Sequence, residues 1–292
     1  MINNIIPPAV RRGDSVGIIS PCDVKEYERC EGYRKVLEEM GLKTVYSKNA
    51  FRSTWAYAAS AHERADDLNA MAADESVTLV FFGGGEAATE ILPLIDYPLI
   101  AAHPKRYCSY SDSTSILNAI TSMSNIITYH GQSPRTLEYL SPYNRMNFVS
   151  RLLTDEGKYE RSEPWTLFRC GKASGITVGG YTQNMCLLLS SPYFKYDRDE
   201  KYILFLEDHK WFSIPGAVGR YLAHIRQSDF FANVSALVFG MYSDDEKEEE
   251  AIMPIIARFA ESCSIPVAKC RDFGHGSNNA VIPIGIHTTL EF

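Results

Sequence analysis

The sequence predicts an α/β protein. Its N-terminal domain is expected to have three layers, with helices on both faces of a mostly parallel sheet, and its smaller C-terminal domain to be β-rich. The chain has 292 residues, which exceeds the size at which one core usually stops growing, so two domains are expected. Strand and helix patterns alternate in the first half, as in parallel sheets. Short strands dominate the second half, so the domains are expected at residues 1–160 and 170–292.

Periodicity and end signals define the first elements. A short apolar strand, "SVGIIS", occupies residues 15–20, and a helical pattern from residue 27 ends at Gly41, ahead of a second strand. Ser60 and Glu63 have the spacing of a capping box, in which each side chain bonds the other residue's backbone N–H. A second helix is therefore expected immediately after Ser60.

The next elements bring two turns to one edge of the predicted sheet. The strand "VTLVFF" (77–82) runs into three glycines, and a helix is expected over "EAATEILPLI" (86–95). A strand around Tyr107 then precedes a helix from Thr114. Ligands bind parallel sheets at the carboxyl ends of the strands, and the turns after residues 82 and 108 both lie at that edge.

The pattern loosens between residues 133 and 172, which we interpret as a connection at the domain boundary. Two helices are expected beyond it, near 219–227 and 249–263. The acidic run "SDDEKEEE" (243–250) is expected to cap and solvate the first turn of the second helix. Carboxylates are favourable at a helix N-terminus. The strands predicted in this half are "SGITVGG", "KYILFLED", "SALVFG", "IPVAKC" and "AVIPIGIHTTLEF".

Charge and composition exclude several classes of function. The net charge is −7, whereas a protein that binds a nucleic acid polymer usually has a basic face. The sequence has no apolar run of 18 residues and no leader of the secretory type, so neither a membrane span nor secretion is expected. The seven cysteines form no C-x-x-C pair and are expected as free thiols in the cytoplasm. We expect the protein to bind no metal and no cofactor.

The segment "RYCSYSDSTSILNAI" (106–120) leaves a strand and enters a helix through small polar residues. A nucleophile elbow needs small residues two positions before and two after the nucleophile, and Ser109 and Ser113 meet this need around Ser111. The backbone N–H of Asp112 would then face a developing oxyanion. The alternative is a plain helix cap made by Asp112 or Ser113.

The glycines at 83–85 form the second candidate site. They let another molecule approach the backbone closely, and free N–H groups there can bind an anion. Their spacing fits neither a dinucleotide fingerprint nor a phosphate-binding loop. The alternative is a tight turn between a strand and a helix.

An acid and a histidine could complete a catalytic group. Glu207 and Asp208 end a predicted strand, where one carboxylate could orient a histidine, although such a pair is also common at a solvated strand end. His275 lies between two glycines on a predicted loop and is a candidate base. His130 ends an apolar strand and is the rival candidate.

Taken together and in their order along the chain, the sequence motifs resemble those of the LD-carboxypeptidase family of serine peptidases, which includes the microcin C immunity peptidases. The resemblance begins with "IIPPAVRRGDSVGIISP" and runs almost to the end of the chain. It continues through "ERADDLNAMAAD", "ILPLIDY", "YSDSTSILNAI", "TYHGQSP", "GKASGITVGG", "SSPYF", "ILFLED" and "FGHGSNNAVIPIG".

The resemblance implies a catalytic triad of Ser111, Glu207 and His275. It also implies an oxyanion hole formed by the backbone N–H groups of Gly84 and Asp112. In the fold that it implies, the triad is assembled between the two domains, and the protein is a homodimer.

The sequence departs from the family pattern in three places. In the glycine run, Phe82 replaces an arginine before the glycines, and Gly85 and Glu86 differ from the usual residues after them. Before the candidate nucleophile, Ser109 replaces a glycine. After the second predicted acid, Trp211 replaces the second acid of an E-D-x-x-E motif. The triad is untouched. We expect Gly85, Glu86 and Trp211 to line the substrate pocket, where Glu86 adds negative charge and Trp211 an aromatic wall.

The resemblance implies a metal-independent serine carboxypeptidase that releases terminal D-alanine from a murein tetrapeptide in the cytoplasm, with His130 left in a structural or cleft-lining role. One alternative is an immunity-type hydrolase that cleaves the amide of a peptidyl or aminoacyl nucleotide, on whose base Trp211 could stack. Another is a catalytically weak paralogue that only binds peptides. The short spacing between Ser111 and Glu207 favours the carboxypeptidase.

Overall fold

The computed structural model describes residues 4–24, 30–154, 156–157 and 159–292. Two six-stranded sheets, each mixed and flanked by helices, form the molecule and confirm the predicted α/β class. The predicted start of the first helix, at residues 27–29, lies outside the described residues.

The first sheet contains five strands from the first half of the chain and one from its end. The strands are β1 (Ser15–Ile19), β2 (Lys43–Tyr46), β3 (Val77–Phe82), β4 (Arg106–Ser109), β5 (Thr128–His130) and β11 (Ile282–Ile284), in the order β11-β5-β4-β3-β1-β2. All neighbours are parallel except β11, which pairs antiparallel with β5. The carboxyl ends of β3 and β4 are therefore adjacent, as predicted.

Helices cover both faces of this sheet. On one side lie α1 (Cys30–Glu39), α6 (Pro134–Leu137) and α7 (Pro142–Phe148), and α7 continues into a π-helical turn at Val149–Leu153. On the other lie α2 (Ala61–Ala73), α3 (Ala88–Ile91), α4 (Tyr97–Ala102) and α5 (Thr114–Ser124). Side chains of β3 alternate between the two cores, with Leu79 and Phe81 in one and Val80 and Phe82 in the other. This alternation produces the three predicted layers.

End signals in the sequence account for some helix bounds and not for others. Both hydrogen bonds of the capping box between Ser60 and Glu63 are present at the start of α2. Gly41 ends the first helical segment with a φ of +80°. The single helix expected over residues 86–95 is wrong, because α3 stops at Ile91 and gives way to a 3₁₀ turn containing Pro93.

The second sheet has the order β12-β7-β8-β9-β10-β6. Its strands are β6 (Thr166–Arg169), β7 (Lys172–Tyr181), β8 (Tyr202–Glu207), β9 (Val234–Met241), β10 (Val267–Gly274) and β12 (His287–Glu291). The middle strands β7 to β10 are parallel, and β6 and β12 are antiparallel at the two edges. The helices of this half are α8 (Thr182–Leu188), α9 (Pro215–Gln227) and α10 (Glu246–Glu261).

The two sheets are joined by contacts that bear directly on the site. Asn118 of α5 donates a hydrogen bond to the carbonyl oxygen of Gly179 in β7 (2.8 Å) and accepts one from the Gly179 N–H (3.2 Å). The segment predicted as one strand, "AVIPIGIHTTLEF", is split at Gly285 (φ +94°), so β11 joins the first sheet and β12 the second. The chain after β10 thus returns to the first half of the molecule. The bounds 1–160 and 170–292 remain a prediction.

Within the described ranges, no helix is both long and apolar enough to cross a membrane.

Candidate active site

Ser111 lies on a tight corner between β4 and α5. Its φ is +65°, a left-handed conformation that is strained for a residue with a side chain and typically costs about 1–3 kcal/mol. Two flanking hydroxyls hold the corner: Ser109 donates to the carbonyl oxygen of Phe82 and Ser113 to that of Gly83, each at 2.8 Å. Ser109, which replaces a glycine of the family pattern, therefore has a bonding role here.

The alternative of a plain helix cap does not fit these contacts. The Ser113 hydroxyl makes no capping bond to α5, since it bonds back to Gly83. The Asp112 carboxylate accepts the backbone N–H of Ala88 (2.8 Å) and the side-chain amide of Asn184 in α8 (2.8 Å). Burial raises the pKa of Asp112, and these hydrogen bonds oppose the rise. Asp112 thus ties the start of α3 and the helix α8 to the corner.

Three side chains from three strand ends meet at this corner. His275, directly after β10, places its Nε2 3.0 Å from Ser111 Oγ. Its Nδ1 lies 2.5 Å from Oε2 of Glu207, the last residue of β8. The Glu207 side chain is fully buried and the His275 side chain is 11% exposed. The structure therefore brings Ser111, His275 and Glu207 together in a hydrogen-bonded series.

The carboxylate of Glu207 is in a low-dielectric position. Burial raises its pKa above the ordinary glutamate value, while the charge and hydrogen bond of His275 act in the opposite direction. A carboxylate in this setting can hold the His275 ring in one tautomer, with the proton on Nδ1 and a lone pair on Nε2 facing Ser111. That is the arrangement in which Nε2 can accept the serine proton.

The two glycines beside His275 allow close packing. Gly274 has a φ of +107°, and a Cβ there would lie 2.7 Å from the Met241 carbonyl oxygen and 2.9 Å from Glu207 Cβ. A Cβ on Gly276 would lie 2.1 Å from Met241 Sδ. Further along the loop, Asn279 donates to the Gly131 carbonyl oxygen (2.6 Å). The loop that carries His275 is thus held against the ends of β9 and β5.

His130, the rival base, occupies a different place. The bond to Ser111 Oγ is made by His275, whereas His130 Nε2 lies 3.7 Å from Glu207 Oε1. The ring is fully buried, and burial lowers its pKa to about 3. His130 is therefore a neutral group behind the acid.

The glycine run approaches the serine directly. A Cβ on Gly84 would lie 2.7 Å from Ser111 Cβ and 3.0 Å from its Oγ, so only glycine fits there without displacing the serine. Gly85 packs on the β1–α1 connection, where a Cβ would lie 2.4 Å from the Cys22 carbonyl oxygen. Glu86 is exposed, and its N–H donates to the same oxygen (3.2 Å).

Trp211 and His209 form an aromatic wall beside the triad. Trp211 is 78% exposed and packs edge-on against His209, with ring centroids 5.1 Å apart. The His209 ring in turn lies 4.6 Å from that of His275, and burial together with His275 lowers the pKa of His209 to about 4. The sequence interpretation missed His209, although its position directly after Glu207 and Asp208 was a usable signal.

Two tyrosines and a second acid complete the surroundings. The rings of Tyr110 and Tyr181 lie 5.1 and 5.5 Å from that of His275. Asp208 is buried, and burial raises its pKa to about 7. Among the described residues, no three His, Cys, Asp or Glu side chains are grouped so as to hold a metal ion.

Profiles of known protein families match both halves of the chain. The profile of the LD-carboxypeptidase N-terminal domain matches residues 16–131, and that of the LD-carboxypeptidase C-terminal domain matches residues 174–290. The chain belongs to the LD-carboxypeptidase family. The two profiles contain Ser111 in the first match, and Glu207 and His275 in the second.

Relatives within the family carry two kinds of name. A probable murein peptide carboxypeptidase of Bacillus subtilis is 28% identical, with 98% of this chain and 92% of the relative aligned. The microcin C7 self-immunity protein MccF of Escherichia coli is 22% identical over 96% of this chain and 91% of its own.

Solved structures of similar proteins have the same fold. An MccF-like protein from Bacillus anthracis superposes with a TM-score of 0.87 at 26% identity, covering 98% of this chain and 96% of the other. MccF in complex with glutamyl sulfamoyl guanosine superposes with a TM-score of 0.86 at 20% identity, covering 98% and 95%. At that lower identity, the likeness concerns the fold alone.

Proposed function

We propose that this family member is a metal-independent serine carboxypeptidase that cleaves the bond between an L-centre and a terminal D-amino acid, releasing D-alanine from a murein tetrapeptide. One observation carries the proposal: Ser111 Oγ, the His275 ring and the Glu207 carboxylate form a continuous hydrogen-bonded series. The B. subtilis relative named as a murein peptide carboxypeptidase supports the substrate class.

In the first half of the reaction, Ser111 Oγ attacks the carbonyl carbon of the scissile amide while His275 Nε2 takes the hydroxyl proton. Glu207 stabilises the imidazolium that forms. The oxyanion is stabilised by the backbone N–H groups of Asp112 and Gly84, for which the close approach of Gly84 to Ser111 is the supporting observation. His275 then gives its proton to the leaving nitrogen, the C–N bond breaks, and D-alanine departs with an acyl-enzyme ester left at Ser111.

In the second half, a water molecule takes the place of the leaving amine. His275 removes a proton from the water as its oxygen attacks the ester, and returns a proton to Ser111 Oγ as the acyl bond breaks. The products are the shortened peptide with a free carboxylate and the original enzyme. The same histidine thus acts as a base and as an acid in each half, so its ring must stay in place. The hydrogen bond from Asn279 to the Gly131 carbonyl oxygen anchors the loop that carries His275.

An immunity-type hydrolase acting on a peptidyl or aminoacyl nucleotide is the second candidate. The exposed Trp211, in contact with His209 and through it with His275, favours this candidate, because an aromatic face near the nucleophile can stack on a nucleobase. A catalytically weak peptide-binding paralogue is the third candidate, and the geometry of the triad argues against it.

A mass-spectrometric turnover assay separates these candidates. Purified protein is incubated with a murein tetrapeptide and, separately, with an aminoacyl sulfamoyl adenylate. We expect loss of D-alanine from the tetrapeptide and no cleavage of the adenylate. Cleavage of the adenylate alone would replace the carboxypeptidase by the immunity-type hydrolase, and no turnover of either compound would favour the binding paralogue.

We also propose that the protein acts in the cytoplasm and as a homodimer. The seven cysteines, six of them buried, are present as thiols, which fits a reducing compartment. Multi-angle light scattering tests the dimer: a mass of about twice 32.8 kDa is expected, and the mass of a single chain at micromolar concentration would contradict it.

A further inference from the structure

Glu207 has one carboxylate oxygen that the triad does not use. Its Oε2 bonds to His275, whereas its Oε1 is buried and has no hydrogen-bond partner among the described residues. The Nε2 of His130 lies 3.7 Å from this oxygen. Both ring nitrogens of His130 are buried and, within the described part of the chain, without a hydrogen-bond partner. Two unsatisfied groups thus face each other behind the triad.

The His130 ring is fixed in this position by its surroundings. It projects from the end of β5, which is paired with β4 on one side and with β11 on the other. Its ring packs edge-on against Phe205, with centroids 5.4 Å apart, and against Tyr110 at 6.5 Å. Its Nδ1 faces Gly180, where a Cβ would lie only 3.0 Å away. The strand pairing and the two aromatic contacts thus hold the ring beside Glu207.

The charge state of His130 follows from the same packing. Burial and, after it, the charge of His275 lower the pKa of His130 to about 3, so the ring is neutral at neutral pH and carries one N–H. Of its two nitrogens, Nε2 is the one that lies 3.7 Å from the carboxylate oxygen Glu207 Oε1. The favoured tautomer has the proton on Nε2. A separation of 3.7 Å is too long for a hydrogen bond at rest, but catalytic hydrogen bonds often tighten only when substrate is bound.

We propose that His130 is a positioning residue of the triad, whose Nε2–H donates to Glu207 Oε1 and keeps that carboxylate anionic and correctly oriented for His275. The inference rests on the proposed function of the triad. The other titratable groups that face Glu207 are His275, Asp208, Tyr110 and Tyr181, and within the described residues none of them bonds to Oε1. His130 is therefore the donor through which β5 can act on the acid.

The matched variants are His130→Phe, which keeps an aromatic ring and removes the N–H, and His130→Gln, whose amide can place a donor near the position of Nε2. His62→Phe, on the exposed face of α2, is the control for the same exchange elsewhere. The first readout is the rate at which a fluorophosphonate labels Ser111, measured from pH 4 to pH 9, because it reports the activated serine without requiring a known substrate. The second is the split between kcat and KM on the tetrapeptide.

We expect His130→Phe to label and turn over about 10- to 100-fold more slowly, with KM unchanged, since a buried charged acceptor loses its donor. The acidic limb of its pH profile should move to higher pH, because the Glu207 anion is less stable. His130→Gln should recover most of the rate and the wild-type acidic limb. A His130→Phe variant with the wild-type rate, or with a slower rate and an unmoved limb in both variants, would overturn the inference.

A measurement on the wild-type protein covers the case in which His130→Phe fails to fold. ¹⁵N-edited NMR of the histidine side chains should show His130 neutral at pH 7 with its proton on Nε2, and a proton on Nδ1 would overturn the inference. If the wild-type protein is not labelled at Ser111 at all, the proposed function itself fails. Labelling that His130→Phe leaves unchanged removes only the role of His130.

Discussion

At the scale of the residue, the site depends on a serine held in a strained conformation by small neighbours. The positive φ of Ser111 turns its Oγ toward His275, and the hydroxyls of Ser109 and Ser113 bond to the adjacent strand end on either side of it. Strain of this kind persists only where surrounding contacts determine it. Gly84 packs directly against Ser111, and the absence of a side chain at Gly84 leaves the space that Ser111 occupies.

Gly84→Ala should therefore damage catalysis far more than folding. The added Cβ would lie 2.7 Å from Ser111 Cβ, and a displaced nucleophile costs about 100-fold in turnover. The measurement is D-alanine release beside the free energy of unfolding in urea. Gly216→Ala is the matched control, because nothing lies within 4 Å of a Cβ at Gly216. Equal activity of the two variants would contradict this account of Gly84.

Asp208 gives a prediction about pH and stability. Its pKa is about 7 in the folded protein, mainly through burial, and the ordinary value is 3.8. Because the folded state holds this proton more tightly, Asp208 makes the protein less stable as pH rises from about 4 to 7, and the loss is complete above pH 7. Asp208→Asn removes the buried charge, so its melting temperature should exceed that of the wild type by at least about 2 °C at pH 8.

The gain should shrink at pH 4.5, where Asp208 is protonated in the folded wild type. Differential scanning fluorimetry at the two pH values measures this difference. Asp229→Asn, at a carboxylate whose side chain is 83% exposed, should show no such pattern. A gain from Asp208→Asn that is the same at both pH values would contradict the assignment.

At the scale of the element, the site depends on strands of two different sheets ending at the same point. Ser111 follows β4 of the first sheet, while Glu207 ends β8 and His275 follows β10 of the second. Helix α5 connects the sheets, since it begins just after Ser111 and bonds to β7 through Asn118. The relative position of Ser111 and His275 is therefore expected to respond to the loss of this buried amide.

Asn118→Ala should lower both stability and turnover. It leaves the N–H and carbonyl of Gly179 without their side-chain partner in a buried position, which costs about 1–3 kcal/mol in the free energy of unfolding. The kcat should fall while KM changes little, because the substrate contacts are not removed. Urea unfolding and tetrapeptide kinetics measure the two effects.

Ser122→Ala, on the same helix, is the control for this variant. Ser122 is only partly buried and bonds to the Tyr193 carbonyl, so its loss should cost no more than about 1 kcal/mol and leave kcat unchanged. An Asn118→Ala variant as stable and active as Ser122→Ala would show that the sheets do not depend on this contact.

At the scale of the whole molecule, the sequence predicts the class of fold and the proximity of Ser111, Glu207 and His275. It does not predict that the end of the chain returns to the first sheet as β11. Alternating strands and helices and the turns after β3 and β4 follow from local periodicity, and the capping box at Ser60 from local hydrogen bonding. The split of the last predicted strand at Gly285 does not, because β11 pairs with β5, a segment about 150 residues earlier. Pairing over that distance is a tertiary property.

The same distinction applies to the site. The triad could be named from its motifs, but the place of His130 behind Glu207 and the contact of His209 with His275 depend on three strand ends from different parts of the chain. The sequence predicts a connection from 133 to 172, whereas the structure has α6, α7, a π-helical turn and β6 in that region. Its helices are short and depend on packing against the first sheet, so their own periodicity is weak.

The most direct test of the central claim is turnover by Ser111→Ala. D-alanine release from the tetrapeptide is measured by mass spectrometry for the wild type and for the variant at equal concentration, with circular dichroism as the check of folding. The account predicts a fall of at least about 1,000-fold with the fold unchanged, because the variant has no nucleophile at the elbow. Release of D-alanine by Ser111→Ala at the wild-type rate would contradict the account.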